Sequence, residues 1–387
     1  TWLPDAMAGP TPISALIHSA TMVAAGIYVV ARLYPVFGVH AAPLVVLGVV
    51  AAITMLLGAL AALGQDDLKR VLAWSTVSQI AYMSGALAVG APVAAVFHLL
   101  THAAFKALLF LAAGCVLNAS GEVLMSCMGG LRRRLPVTFA TMTCGLAALV
   151  GVPPTSGFFS KDAVLAGAWE AARGHGGGPA WVGRLVLVAG LLTVALTAVY
   201  ATRLWLRIFF GRASGPAAGR HAWVVREPCW IMTVPLIVLA VPTVLLGFAG
   251  LRSGWLPAWL DTPGVPVHPT WGVGLVALGL SAAGVTGVVL RWRRAPGADP
   301  VPAIPVLTRA FYLDEVQDAV IVRPYRLLAR IVTAADSGLV DGVAEGTGAG
   351  AGALSRKLSR LQSGNVQFYA TGVLAAAVLL AVAAVLL

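Results

Sequence analysis

The sequence predicts an all-α polytopic membrane protein with about nine transmembrane helices, one of them discontinuous, plus an amphipathic helix lying along a surface. Three observations predict it. Of 387 residues, 59% are hydrophobic and 11% charged, and the mean hydropathy is +0.88. The apolar residues fall in blocks of about twenty, the length an α-helix needs to cross roughly 30 Å of hydrocarbon. Inside these blocks stand a few ionisable residues at helical spacing. Lipid offers no water to unpaired backbone groups, so such blocks are helices.

Taken in order, the spans run approximately 13–34, 43–63, 70–90, 92–118, 137–170, 181–209, 230–250, 271–291 and 366–387. This divides the chain into a short leading segment (1–12), a bundle (13–291), a non-spanning region (292–365) and a final anchor helix (366–387). Thr1 is not a methionine, and Trp2 to Pro12 lacks the shape of a signal peptide. The expectation is that the chain starts within a longer protein. Cys115, Cys127, Cys144 and Cys229 are scattered, so no iron–sulfur cluster, zinc site or disulfide framework is expected. Glycine-rich nucleotide signatures are absent, and neither a metal nor a cofactor site is expected.

Basic residues fall unequally between alternate loops. One set holds Lys69, Arg70, Arg132, Arg133, Arg134, Arg203, Arg207, Arg212, Arg220, Arg226, Arg291, Arg293 and Arg294. The other holds Arg32, Arg173, Arg184 and Arg252. The first set is expected to face the cytoplasm. The net charge of +11 is then a collar for anionic lipid headgroups and requires no nucleic acid.

A charge at bilayer depth costs at least about 2.5 kcal/mol, so ionisable residues there are paired, hydrated or used. Only four lysines occur, and Lys106 and Lys161 lie within spans. Desolvation disfavours an ammonium, which lets a buried lysine exchange a proton near neutral pH. In HLLTHAAFK, His98, His102 and Lys106 stand at i, i+4 and i+8, a column with steps of about 6 Å. One or two waters bridge such a step, and histidine can pass protons along it. His18 lies mid-span and extends the path sideways. The plainer alternative is that these groups pin helices together.

GVPPTSGFFSKDAVL, from Gly151 to Leu165, breaks its helix at Pro153 and Pro154. Thr155 or Ser156 is placed to cap the second half. Carbonyls freed near Val150 would stabilise a cation, and Lys161 and Asp162 follow within two turns. Transporters break helices in this way near ion sites; a mere kink with a Lys–Asp pair at the membrane face is the alternative. In QDDLKRVLAWSTVSQIAYM, Asp67 and Arg70 read as a solvated pair. Thr76, Ser78 and Gln79 lie deeper, where they line water or hold helices together. In the 296–365 region, Leu327, Leu328, Ile331, Val332, Ala335 and Leu339 form an apolar stripe, with Arg326, Arg330 and Asp336 off it. Pro324 and the run Gly342 to Gly352 are expected to interrupt that helix.

These motifs, with TWLPDAMAGPTPISALIHSATMVAAGIYVV and MGGLRRRLPVTFATM, closely resemble the NuoL family, the largest antiporter-like membrane subunit of respiratory complex I. The resemblance covers essentially the whole chain and corresponds to the C-terminal two-thirds of a family member. It implies that Lys106 is the central lysine of the second proton half-channel and that His98 and His102 are its connectors. Lys161 with Asp162 would be the exit-side group, His18 a connector between half-channels, and Asp67 the acid at its helix end. The family's upstream glutamate–lysine pair is not in this chain. TRAFYLDEVQDAVIVRPYRLLARIVTAADSGLVDG resembles the lateral helix, implying neighbouring antiporter-like subunits beneath it. NADH, FMN, iron–sulfur clusters and quinone would belong to partner subunits, none to this chain. A multi-pass protein of a bacterial plasma membrane is implied. The competing expectations are an Mrp-type Na⁺(K⁺)/H⁺ antiporter subunit and a purely structural membrane subunit.

Overall fold

A computed structural model describes residues 2–211, 225–250, 256, 258 and 271–386. Arg212, Arg220 and Arg252, which entered the charge asymmetry, lie outside the described residues. The chain divides into two compact units, Thr1–Leu313 and Asp314–Leu387. Among the described residues there are helices and turns but no β-strand beyond one isolated bridge, Asp67 to Leu124.

Among its described residues the first unit holds ten main helices: α1 (Thr11–Ser19), α2 (Met22–Arg32), α3 (Ala41–Gly64), α4 (Leu68–Ala88), α5 (Pro92–Ser120), α6 (Pro136–Val150), α7 (Ser156–Ala172), α8 (Ala180–Phe209), α9 (Trp230–Ala249) and α10 (Trp271–Arg294). By length and composition, α3, α5, α8, α9 and α10 can cross a membrane, as can α1 with α2 and the final helix of the second unit. α4 is long enough but too polar for that criterion, because its face is spent on the site described below. α6 and α7 are each short, as a broken span requires.

The first span is interrupted as well, which was not expected. α1 ends at Ser19 and α2 starts at Met22. Neither proline nor glycine causes this. Ser19 Oγ donates to the Ala15 carbonyl at 2.5 Å, and Thr21 Oγ1 to the Leu16 carbonyl at 2.9 Å. Side chains that bond back to their own turn compete with the helix ladder.

α3 and α4 pack closely. A Cβ on Gly58 would stand 2.8 Å from the Ser78 amide nitrogen, so only glycine permits this approach. Ser78 Oγ donates to the Met55 carbonyl at 2.8 Å and ties the two helices. The core lies around α4, α5 and α8, where Leu72, Met83, Phe105, Phe110 and Ala198 are fully buried.

A strap after α10 returns to the bundle. Arg203 of α8 donates through Nε and Nη2 to Asp299 at 2.8 and 2.6 Å, and through Nη1 to the Gln65 carbonyl at 2.6 Å. Arg207 also bonds Asp299 and stands 3.7 Å from Asp66. Gln65 in turn donates to the Thr308 carbonyl at 3.1 Å. Burial would raise the Asp299 pKa. The bonds and charge of Arg203, the Val301 amide and the charge of Arg207 outweigh it and hold the carboxyl below its ordinary value. Arg203 and Arg207 are therefore not collar charges meeting lipid. They are mostly buried and already paired.

In the second unit, wide turns at Asp318–Val322 and Asp336–Asp341 flank α11 (Arg323–Ala335). α12 (Gly342–Leu361) and α13 (Val366–Leu386) follow. The expected interruptions do not occur. Pro324 stands at the start of α11, next to a wide turn, where its missing amide breaks no α-type ladder. The glycine run is interleaved with Val343, Ala344, Glu345, Ala349, Ala351 and Ala353. Glycine costs a helix about 1 kcal/mol relative to alanine but does not forbid it. The stripe of Leu327, Leu328, Ile331 and Val332 is exposed within this unit.

Candidate proton-transfer site

α5 begins at Pro92, whose missing amide is harmless in a first turn. Its 3.6-residue repeat then aligns His98, His102 and Lys106, all with 0% exposure. The rings of His98 and His102 are 6.1 Å apart, the step expected from the spacing. His18 reaches the same column from α1, its ring stacked on Phe110 at 4.7 Å.

Partners from other helices fix two of these groups. His98 Nδ1 is 2.9 Å from Ser160 Oγ, and its Nε2 is 3.2 Å from Gln79 Oε1. Thr101 Oγ1 also donates to Ser160 Oγ, at 2.7 Å. Lys106 Nζ donates to the Leu72 carbonyl at 3.0 Å and to Ser75 Oγ. Among the described residues, His18 and His102 have no partner at either ring nitrogen. Buried polar atoms in that position are satisfied by water in native proteins.

The break between α6 and α7 supplies the next group. Gly151 takes φ +88°, a left-handed conformation that ends α6. The Leu149 carbonyl, released by that ending, accepts a bond from Lys161 Nζ at 2.5 Å. Thr155 is the residue before α7 but makes no side-chain cap; its Oγ1 donates to the Val152 carbonyl at 2.6 Å. Ser156 Oγ does not cap either. The two half-helices approach each other closely at this point. A Cβ on Gly157 would lie 1.9 Å from the Ala148 carbonyl oxygen. Asp162 lies against Gly274 of α10, where a Cβ would stand 2.7 Å from its Oδ1. Lys161, Asp162, Leu165 and Ser281 line a small cavity there.

The structure thus brings together His18, Lys106, His102, His98 and Lys161, through Ser75, Gln79 and Ser160. It places Asp67 and Arg70 elsewhere. Asp67 caps α4, accepting the amides of Lys69 and Arg70 at 2.8 and 3.0 Å. Arg70 pairs with Asp5 at 3.0 Å, not with Asp67. Of the three candidate water-lining residues on α4, Gln79 meets the column. Thr76 bonds the Leu72 carbonyl, and Ser78 serves α3. Ser75 and Ser160 were not singled out from the sequence. Ser75, Gln79 and Tyr82 stand at i, i+4 and i+7, a polar stripe that spacing alone can reveal. Among the described residues, no group of three or more His, Cys, Asp or Glu is arranged to hold a metal ion.

Residues 1–176 match the family described as NADH:quinone oxidoreductase/Mrp antiporter, transmembrane. Over 99% of its length the chain is 40% identical to NADH-quinone oxidoreductase subunit L of Mycobacterium tuberculosis H37Rv, covering 61% of that protein. Over 95% of its length it is 36% identical to NAD(P)H-quinone oxidoreductase chain 5 of a Picosynechococcus species, covering 60% of it. The chain therefore spans about three-fifths of the length of these relatives. Among solved structures, an Mrp complex from Dietzia sp. DQ12-45-1b superposes with a TM-score of 0.63 at 25% identity. That match covers 88% of this chain and 39% of that one.

Proposed function

We propose that this chain, whose residues 1–176 match the family described as NADH:quinone oxidoreductase/Mrp antiporter, transmembrane, conducts protons as a membrane-arm subunit of NADH:quinone oxidoreductase. The observation that carries the reading is the succession of buried protonatable side chains Lys106, His102, His98 and Lys161 across α5 and α7. Likeness to subunit L along the whole chain supports it. Lys106 and Lys161 exchange the proton, each ammonium held meanwhile by a carbonyl of a neighbouring helix. His98 and His102 connect them, and His18 extends the line sideways. Redox chemistry and its cofactors belong to partner subunits, in a bacterial plasma membrane. α11 and α12 are then the lateral helix, lying along neighbouring antiporter-like subunits, and α13 is the anchor that follows it.

The experiment is Lys106→Met in the assembled complex, reading protons moved per electron with an internal pH dye. Electron transfer and assembly stay near the parent level while the proton ratio falls. An unchanged ratio would remove Lys106 from the path.

A second reading, cation/proton exchange, is favoured by the Mrp-complex superposition. It is the weaker one, because the subunit L likeness has higher identity over more of the chain. Na⁺-driven proton movement without NADH would favour it.

A further inference from the structure

Four buried polar atoms on the α8 side of the column have no partner among the described residues: Gln79 Nε2, Tyr82 OH, Asp162 Oδ1 and Thr193 Oγ1. They come from α4, α7 and α8, whose facing turns meet at Gly190. Gln79 and Tyr82 are three residues apart on α4 and share a face. Tyr82 lies against Gly190 of α8, where a Cβ would stand 3.4 Å from its ring and 3.7 Å from its hydroxyl. Thr193 is the next turn of the same α8 face. Leu165, one turn past Asp162, meets Gly190 as well, with a Cβ there 3.0 Å from its Cδ2. Asp162 is near enough to Tyr82 to act on it electrostatically. The Tyr82 and His98 rings are 5.7 Å apart.

Packing alone does not explain the hydroxyl. Phenylalanine would fill the same volume, and a buried donor without a partner destabilises a fold. Unpartnered buried polar atoms of this kind are what holds ordered water inside proteins.

We propose that the Tyr82 hydroxyl is a proton relay between His98 and Asp162, working through water held by Gln79, Tyr82, Thr193 and Asp162. The proposal rests on the reading of the column as a proton path. His98 gives a ring N–H proton to a water beside Gln79, which passes a proton to the Tyr82 oxygen as the Tyr82 O–H gives its own to a second water. That water protonates the Asp162 carboxylate. One N–H bond breaks at His98 and one O–H bond forms at Asp162, each water and tyrosine end neutral, and nothing is oxidised or reduced. The branch reaches Asp162 without using the Lys161 ammonium, which the Leu149 carbonyl holds.

The test is Tyr82→Phe in the assembled complex, beside Lys106→Met and Thr193→Val. Tyr82→Phe is expected to assemble normally and to lower the proton-to-electron ratio toward that of Lys106→Met. Thr193→Val moves it the same way to a smaller extent, and Thr193→Ser restores it. Parent-like pumping in Tyr82→Phe, with pumping lost in Lys106→Met, would overturn the relay and leave the proposed function standing. Parent-like pumping in both would overturn both. Failure of Tyr82→Phe to assemble, with parent-like pumping in Thr193→Val, would assign the hydroxyl to the fold and overturn the relay.

Discussion

Lys106 and Lys161 solve one problem in the same way. Each buried ammonium donates to a main-chain carbonyl, Leu72 for one and Leu149 for the other, and neither makes an ion pair among the described residues. A carbonyl stabilises the cation without fixing it as an ion pair would, which suits a group that must release its proton. The spacing of His98, His102 and Lys106 was legible because all three stand on one helix. Ser75 and Ser160 were not, because a partner on another helix is decided by packing, which the spacing within one helix does not reveal. Asp67 was misread as half of a pair with Arg70. A carboxylate directly before a helix has free amides nearer to it than any guanidinium. Gly157 offers a direct check of the local geometry. Gly157→Ala forces a methyl into the Ala148 carbonyl and is expected to destabilise the subunit by about 3 kcal/mol, the upper end for overpacking. Thermal unfolding of the detergent-solubilised protein measures it. Gly346→Ala, which meets nothing within 4 Å, is the matched control.

At the scale of elements, the interruptions separate what sequence shows from what it hides. Two prolines announced the gap between α6 and α7. The gap between α1 and α2 had no such signal, since Ser19, Ala20 and Thr21 are all tolerated in helices. It follows from two side-chain hydroxyls bonding back to the preceding turn. α12 errs in the opposite direction: its glycines suggested an ending where the helix continues. Propensity costs are small, and several must accumulate before a helix fails. Replacing Gly346, Gly348 and Gly350 with alanine is expected to favour the helix by about 0.5–1 kcal/mol each. Circular dichroism of a peptide spanning residues 342–361 would register the gain as raised helicity.

Over the whole molecule, hydropathy placed the spans well but could not show the strap. Arg203 and Arg207 looked like interchangeable members of a basic collar, because their carboxylate lies far along the chain. The Asp299 carboxyl has a pKa held below its ordinary value by that network. Its stabilising contribution is therefore complete above about pH 4, the ordinary carboxylate value. It is lost as pH falls through the lowered value. Asp299→Asn removes it at every pH and leaves Arg203 buried with one partner fewer. A loss of the order of 3 kcal/mol at neutral pH is expected. Thermal unfolding between pH 3 and 7 should show the parent converging on the variant at the acid end.

The strap also imposes an order on the ribosome. Arg203 and Asp299 are 96 residues apart, and Gln65 and Thr308 are 243 apart. At about 5–20 residues per second, the arginine emerges roughly 5–20 s before its carboxylate, and the glutamine roughly 12–50 s before its carbonyl. Through that interval α3, α4 and α8 stand in the membrane with the joint between them open. This joint is among the last in the first unit to close, and a nascent chain stalled before residue 299 would have Arg203 without its Asp299 partner.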